Sequence, residues 1–119
     1  MFAVMAMIFA SCHTQDCDEI PQKFTSYSEA IRVIKSNKFK IKDSTNVSNS
    51  FLMIRANYYS CDGRTGFFFY TRNTGSEYFH RGVPIEIWRE FKKTSSKQSY
   101  YDNNIKDQYR SVITVQKIN

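Results

Sequence analysis

A chain of 119 residues and 14.0 kDa leaves room for one small domain. With 41% hydrophobic and 24% charged residues it has the make-up of a globular fold, and four Gly and two Pro exclude a collagen-like or low-complexity chain. No apolar run reaches the ~18 residues that a membrane-spanning helix needs, and the formal net charge of +6 sets a polyanionic partner against the plainer reading of a solvated basic surface.

The charge is uneven along the chain. Asp16, Asp18 and Glu19 make residues 12–22 acidic, whereas Lys23, Arg32, Lys35, Lys38, Lys40 and Lys42 stand against Glu29 alone in residues 23–42. Residues 43–80 balance, and residues 81–119 are again basic.

Met1 to Ala10 is apolar and uncharged and stops at Ser11-Cys12. An apolar segment this short fits the central region of an export signal better than a membrane span. The run Phe9-Ala10-Ser11-Cys12 resembles the cleavage motif of bacterial lipoproteins, with small residues before a cysteine that becomes acylated. Residues 1–11 are therefore expected to be a signal peptide, Cys12 the lipidation site, and residues 12–24 a polar tether. Cys17 and Cys61 then remain as two thiols able to pair in an oxidising compartment. His13 and His80 are the only histidines, and no Cys-x-x-Cys or His-x-x-x-His spacing occurs, so no metal site is expected.

Ser26-Tyr27-Ser28-Glu29 has the spacing of a helix capping box. Tyr27, Ala30, Ile31 and Ile34 follow on one helical stripe, which predicts a helix over 27–37. The polar run 43–50 predicts a loop, so that residues 25–49 form an amino-terminal helix and loop. The alternation of Leu52, Ile54, Ala56 and Tyr58 predicts a half-buried strand. Asp62-Gly63 and Gly66 mark a turn, Phe67–Arg72 a strand covered on both faces, Asn73-Thr74-Gly75 a second turn, and Tyr78–His80 a third strand. Pro84 suits the first position of a helix, with Ile85, Trp88 and Phe91 as its buried stripe. Tyr101, Ile105 and Tyr109 repeat at four-residue steps and predict a second short helix, and Val112–Val115 is able to add a closing strand. The expected fold is α+β: an N-terminal helix, a three-stranded antiparallel meander and two short C-terminal helices.

One constellation is distinctive: Tyr78-x-His80, Val83-Pro84, Trp88, Ser95-Ser96, Tyr100-Tyr101-Asp102 and Ile105-x-x-x-Tyr109. It resembles the KTSC domain, a short module found after lysyl-tRNA synthetase in some bacteria and also as a stand-alone protein. The resemblance covers residues 50–110, and residues 50–115 are taken as the domain. His80 stands where the family pattern has a second Tyr, Gln98 where it has a Gly and Asp102 where it has an Asn, which leaves Asp102 able to cap the last helix. The family's fusion to a synthetase implies RNA binding as one function. Tyr78, His80, Val83, Pro84, Trp88, Tyr101, Asp102, Ile105 and Tyr109 are the signature residues, either core or contact surface.

Arg89, Lys92, Lys93, Lys97 and Lys106 are candidate polyanion contacts, diluted by Glu86 and Glu90 on the same helix. No nucleophile elbow, Gly-rich phosphate loop or paired carboxylates frame the available Ser, His and Asp side chains. No catalytic residue and no cofactor are expected. The expected function is a non-enzymatic interaction module in the bacterial cell envelope, held to the membrane through Cys12 and displayed to an envelope or protein partner. The alternative is a nucleic-acid-binding module.

Overall fold

The computed structural model describes residues 20, 23–24, 26–48, 50, 52–109 and 114–115. The expected signal segment, Cys12 and Cys17 lie outside the described residues. The elements run β1 (Lys23–Phe24), α1 (Tyr27–Lys35), β2 (Ile41–Asn46), β3 (Met53–Ser60), β4 (Thr65–Arg72), β5 (Glu77–Pro84), α2 (Ile85–Lys93), α3 (Lys97–Asn104) and β6 (Thr114–Val115). Strands β2-β3-β4-β5 form one antiparallel sheet in that order, and β1 pairs with β6 in a separate two-stranded parallel ladder.

The α+β class agrees with the sequence, with two strands that were not expected: β2, which makes the meander four-stranded, and β1, which falls at the end of the expected tether. The first half of the run 43–50, Asp43 to Asn46, lies inside β2 and not in a loop. Its Asp, Ser, Thr and Asn read as turn residues, but an edge strand buries only one face. Ile41, Asp43 and Thr45 are half-buried while Lys42, Ser44 and Asn46 are exposed. Of the expected closing strand, Thr114–Val115 is a strand, paired with β1 and not with the four-stranded sheet; positions 112 and 113 lie outside the described residues.

Helix α1 forms as its capping box predicts, with the Ser26 hydroxyl accepting from the Glu29 amide at 3.1 Å. Its buried residues are Ala30 and Ile34, packed with Phe69 and Phe79 on one face of the sheet. Helices α2 and α3 cover the other face, where Trp88, Phe91, Tyr101 and Ile105 pack on Tyr58, Phe68 and Val83. The expectation that β4 is covered on both faces holds, since Phe68 and Phe69 are both fully buried, on opposite sides.

Two local features adjust the pleat. The register shifts between Met53 and Arg55, a β-bulge. Leu52 and Ile54, expected on the apolar face with Ala56 and Tyr58, are instead 40% and 48% exposed, whereas Ala56 and Tyr58 are fully buried. The second shift lies between Gly66 and Phe68, where a Cβ on residue 66 would run into the Tyr59 carbonyl oxygen. Only glycine allows this approach of β4 to β3.

Candidate functional site

The signature residues converge where the end of β5 meets α2 and α3. Tyr78 and His80 stand on β5, opposite Tyr70 and Phe68 of β4. The strand runs on through Val83 and Pro84, and α2 begins at Ile85. Pro84 is thus the residue before the first helical position and not that position itself, with an extended backbone (φ −63°, ψ 148°). The Ile85 amide donates to the Arg64 carbonyl at 2.8 Å, which seats the helix start on the β3–β4 turn.

His80 is 1% exposed. Its Nε2 lies 2.7 Å from the Tyr101 hydroxyl and its Nδ1 3.4 Å from the Tyr109 carbonyl oxygen. A neutral ring with the proton on Nδ1 satisfies both, donating to Tyr109 and accepting from Tyr101. Phe68, Tyr70 and Tyr101 rings surround it, with centroids 6.2, 6.0 and 5.4 Å away. Burial depresses the His80 pKa, and the Tyr109 carbonyl only partly offsets this. Burial likewise pushes the Tyr101 hydroxyl far above the ordinary tyrosine value, with Tyr70 reinforcing the shift. At neutral pH the cluster is an uncharged hydrogen-bonded joint between β5, α3 and the turn after it.

Trp88 is the second anchor. Its ring stacks on Tyr58 at 5.3 Å and 11°, and meets Phe68 and Phe91 at 5.8 Å each. The Trp88 Nε1 donates to Asp43 Oδ2 at 2.9 Å. Lys92 Nζ donates to the same oxygen at 2.8 Å, and the Ser44 amide to Oδ1 at 2.9 Å. Desolvation opposes ionisation of Asp43, yet these three donors outweigh it and hold the carboxyl below its usual range. Tyr58 donates from its hydroxyl to the Val83 carbonyl at 2.6 Å. Burial pushes its pKa well up.

The remaining signature positions divide. Ile105 is fully buried and Tyr109 half-buried, but α3 ends at Asn104, so Tyr109 reaches the cluster through a turn. Asp102 lies exposed within α3 and accepts from Gln98 Nε2 at 3.2 Å. The N-cap of that helix is Ser96, so Asp102 does not cap it. Tyr78 is half-buried beside Tyr70 at 5.7 Å and Tyr27 at 5.8 Å, with the Arg72 guanidinium 5.8 Å from its ring centre. The Tyr27 hydroxyl, its pKa pushed up by burial to about 12, accepts from the Phe79 amide at 2.9 Å and so closes part of the β5 edge.

Three of the five candidate polyanion contacts have partners within the fold. Lys92 pairs with Asp43 at 2.8 Å and Lys93 with Glu90 at 3.8 Å. Lys97 Nζ donates to the carbonyls of Lys92 at 2.9 Å and Thr94 at 2.7 Å, closing the carboxyl end of α2. Arg89 and Lys106 are exposed. Among the described residues no group of three or more His, Cys, Asp or Glu side chains is placed to hold a metal. Cys61 is disulfide-bonded.

Sequence reasoning missed Asp43 and Tyr70. Asp43 sits in what reads as a polar loop. Tyr70 is hidden within the aromatic run Phe67–Tyr70, where the alternation of faces alone would have placed it beside Phe68.

The site thus defines a small α+β module whose tyrosine, histidine and tryptophan side chains join a meander to two carboxyl-terminal helices. The KTSC domain model matches residues 68–109, from β4 to the turn after α3, and that segment is similar to the KTSC domain. No curated protein and no solved structure matches the chain.

Proposed function

We propose that this protein is a non-enzymatic interaction module of the cell envelope, acylated at Cys12 and held by a short tether. The observation that carries the reading is the apolar decapeptide Met1–Ala10 followed by Ser11-Cys12. The disulfide at Cys61 supports it, because such bonds persist in oxidising compartments and are rare in the cytosol. No helix of the described residues is long and apolar enough to cross a membrane; in this reading the anchor is the lipid at Cys12. The signature side chains act on this view as the frame of the domain: His80, Trp88, Tyr101 and Ile105 are buried, and the partner meets the surface they hold in shape.

Cell fractionation with intact-mass measurement tests the reading. A membrane-fraction protein lacking residues 1–11 and carrying acyl chains on Cys12 is expected. Cytosolic protein with Met1 intact would instead favour the second reading, a nucleic-acid-binding module, which draws on the +6 charge and the exposed Arg89 and Lys106.

A further inference from the structure

Two aliphatic side chains stand outward at the start of β3: Leu52 just before the strand and Ile54 within the register shift between Met53 and Arg55. Leu52 and Ile54, at 40% and 48% exposure, are the large hydrophobic residues that stand exposed among the described ones. Their backbone groups are already engaged. Leu52 N donates to the Ser50 hydroxyl at 3.3 Å and Leu52 O accepts from Asn73 N at 3.1 Å. Ile54 O accepts from Val47 N at 3.0 Å. Ser50 also takes the Met53 amide at 3.0 Å and donates to Gln98 of α3 at 2.6 Å, so the protrusion is fixed to the helical layer. What it offers a partner is side-chain hydrocarbon on a backbone with few free polar groups, which is what a lipid phase tolerates.

The charge beside it is positive. Arg55 follows Ile54, is exposed, and lies opposite the uncharged Asn46 and Thr71 in its cross-strand row. The next residue of that row, Glu77, is paired with Lys35 at 2.7 Å. Asp102 of α3 accepts from Gln98, which in turn accepts from Ser50.

We propose that the Leu52–Ile54 protrusion and Arg55 form a membrane-surface contact for an anionic bilayer, the two aliphatic side chains entering the headgroup boundary and the guanidinium meeting lipid phosphates. The inference deepens the envelope reading and rests on it for the nearness of a membrane. The lipid at Cys12 holds the chain near the bilayer through a tether and leaves the domain's orientation open; this surface fixes which way the domain faces.

The test places a tryptophan reporter at the protrusion, Ile54→Trp, in the full chain, with the parent protein subtracting the signal of the buried Trp88. Vesicles of phosphatidylglycerol carrying brominated chains are expected to quench the reporter and shift its emission to the blue. Vesicles of phosphatidylcholine alone should do so far less. Arg55→Gln should weaken the reporter's response about fivefold, and Leu52→Ser with Ile54→Ser should weaken vesicle binding of the chain about tenfold or more. A reporter that stays in water while the chain binds vesicles through its amino terminus would overturn the inference and leave the envelope reading intact. A shift that needs no lipid and disappears on dilution would also overturn it, since a second copy would then be the occupant. A quenched reporter in a protein isolated from cells with Cys12 unmodified would retain the contact and remove the anchor.

Discussion

Trp88 and Asp43 stand 45 residues apart and meet at 2.9 Å, indole to carboxylate, across the gap between α2 and the edge strand β2. The bond ties a helix of the segment similar to the KTSC domain to a strand that lies outside it. It also explains how the largest fully buried side chain of the domain satisfies its one polar atom. Replacing Trp88 by Ala removes the stacks on Tyr58 and Phe91 together with this bond. The expected loss is about 3–5 kcal/mol, much of what a domain of this size possesses, and thermal unfolding followed by circular dichroism measures it. A variant that melts with the parent would show that the stripe is not core.

Asp43→Ala keeps the ring stack and removes only the acceptor. The buried Trp88 N–H then lacks a partner, which should cost about 1–3 kcal/mol. The Lys92 contribution is small because that pair is partly exposed. The pH dependence follows from the sign of the shift. Asp43 ionises more readily when folded, so its stabilisation is present above the ordinary carboxyl value of 3.8 and is lost as the pH falls through its lower folded value. Acid unfolding curves of parent and variant should therefore converge at the acid end. Curves that stay parallel would contradict the assignment.

His80 gives a separate window. Folding depresses its pKa, so the unfolded chain takes up a proton first, at the ordinary value of 6.5. Stability should be steady above about pH 7 and fall as the pH drops through 6.5 toward the folded value, then level off for this group. The Asp43 effect begins only at much lower pH. Melting temperatures between pH 7.5 and 5 should slope in the parent and flatten in His80→Gln, which still offers a partner to Tyr101. Equal slopes in both proteins would exclude His80 as the source.

How much of this was legible depended on whether local pattern and tertiary burial agreed. The Ser26–Glu29 cap and the Ile85–Trp88–Phe91 stripe are local devices, and the structure keeps both. Strand β2 was not legible because an edge strand needs few apolar residues, and Asp43 is in the strand for a partner 45 positions away. The outward turn of Ile54 was hidden for a different reason. A bulge changes which residues share a face, and nothing in an alternating run marks where it occurs. The signature residues were found by family pattern, but their convergence on His80 depends on the turn that brings Tyr109 back to β5.

Cysteine chemistry offers a sharper test of the anchor. A thiol forms either a thioether to lipid or a disulfide, never both. Cys61 is disulfide-bonded and the chain has three cysteines. If Cys12 is acylated, the partner must be Cys17. Peptide mapping without reduction should find Cys17–Cys61, and Cys17→Ser should leave Cys61 free while acylation proceeds. The bridge closes a loop of over forty residues, so its loss should cost up to about 4 kcal/mol. A Cys12–Cys61 peptide would rule out the lipid at Cys12 in those molecules.

The last prediction concerns the basic helix face. Binding to nucleic acid by neutralising phosphates releases counterions, so affinity falls steeply with salt. Reversing Lys92 and Lys93 is a poor probe, because a carboxylate at position 92 would face Asp43 and disturb the fold whatever the protein binds. Arg89 and Lys106 are the better choice, being exposed and outside the buried cluster. Arg89→Gln with Lys106→Gln should change stability by no more than about 0.5 kcal/mol. For an envelope module, binding of a single-stranded oligonucleotide by the parent should be weak at physiological salt, with Kd in the non-specific range of about 10⁻⁴–10⁻⁶ M, and the double substitution should alter it little. Fluorescence anisotropy across a salt series measures both. Nanomolar binding that survives physiological salt and is lost in the double variant would make the surface of α2 and the turn after α3 a nucleic-acid interface, and would displace the envelope reading in favour of the RNA-binding one.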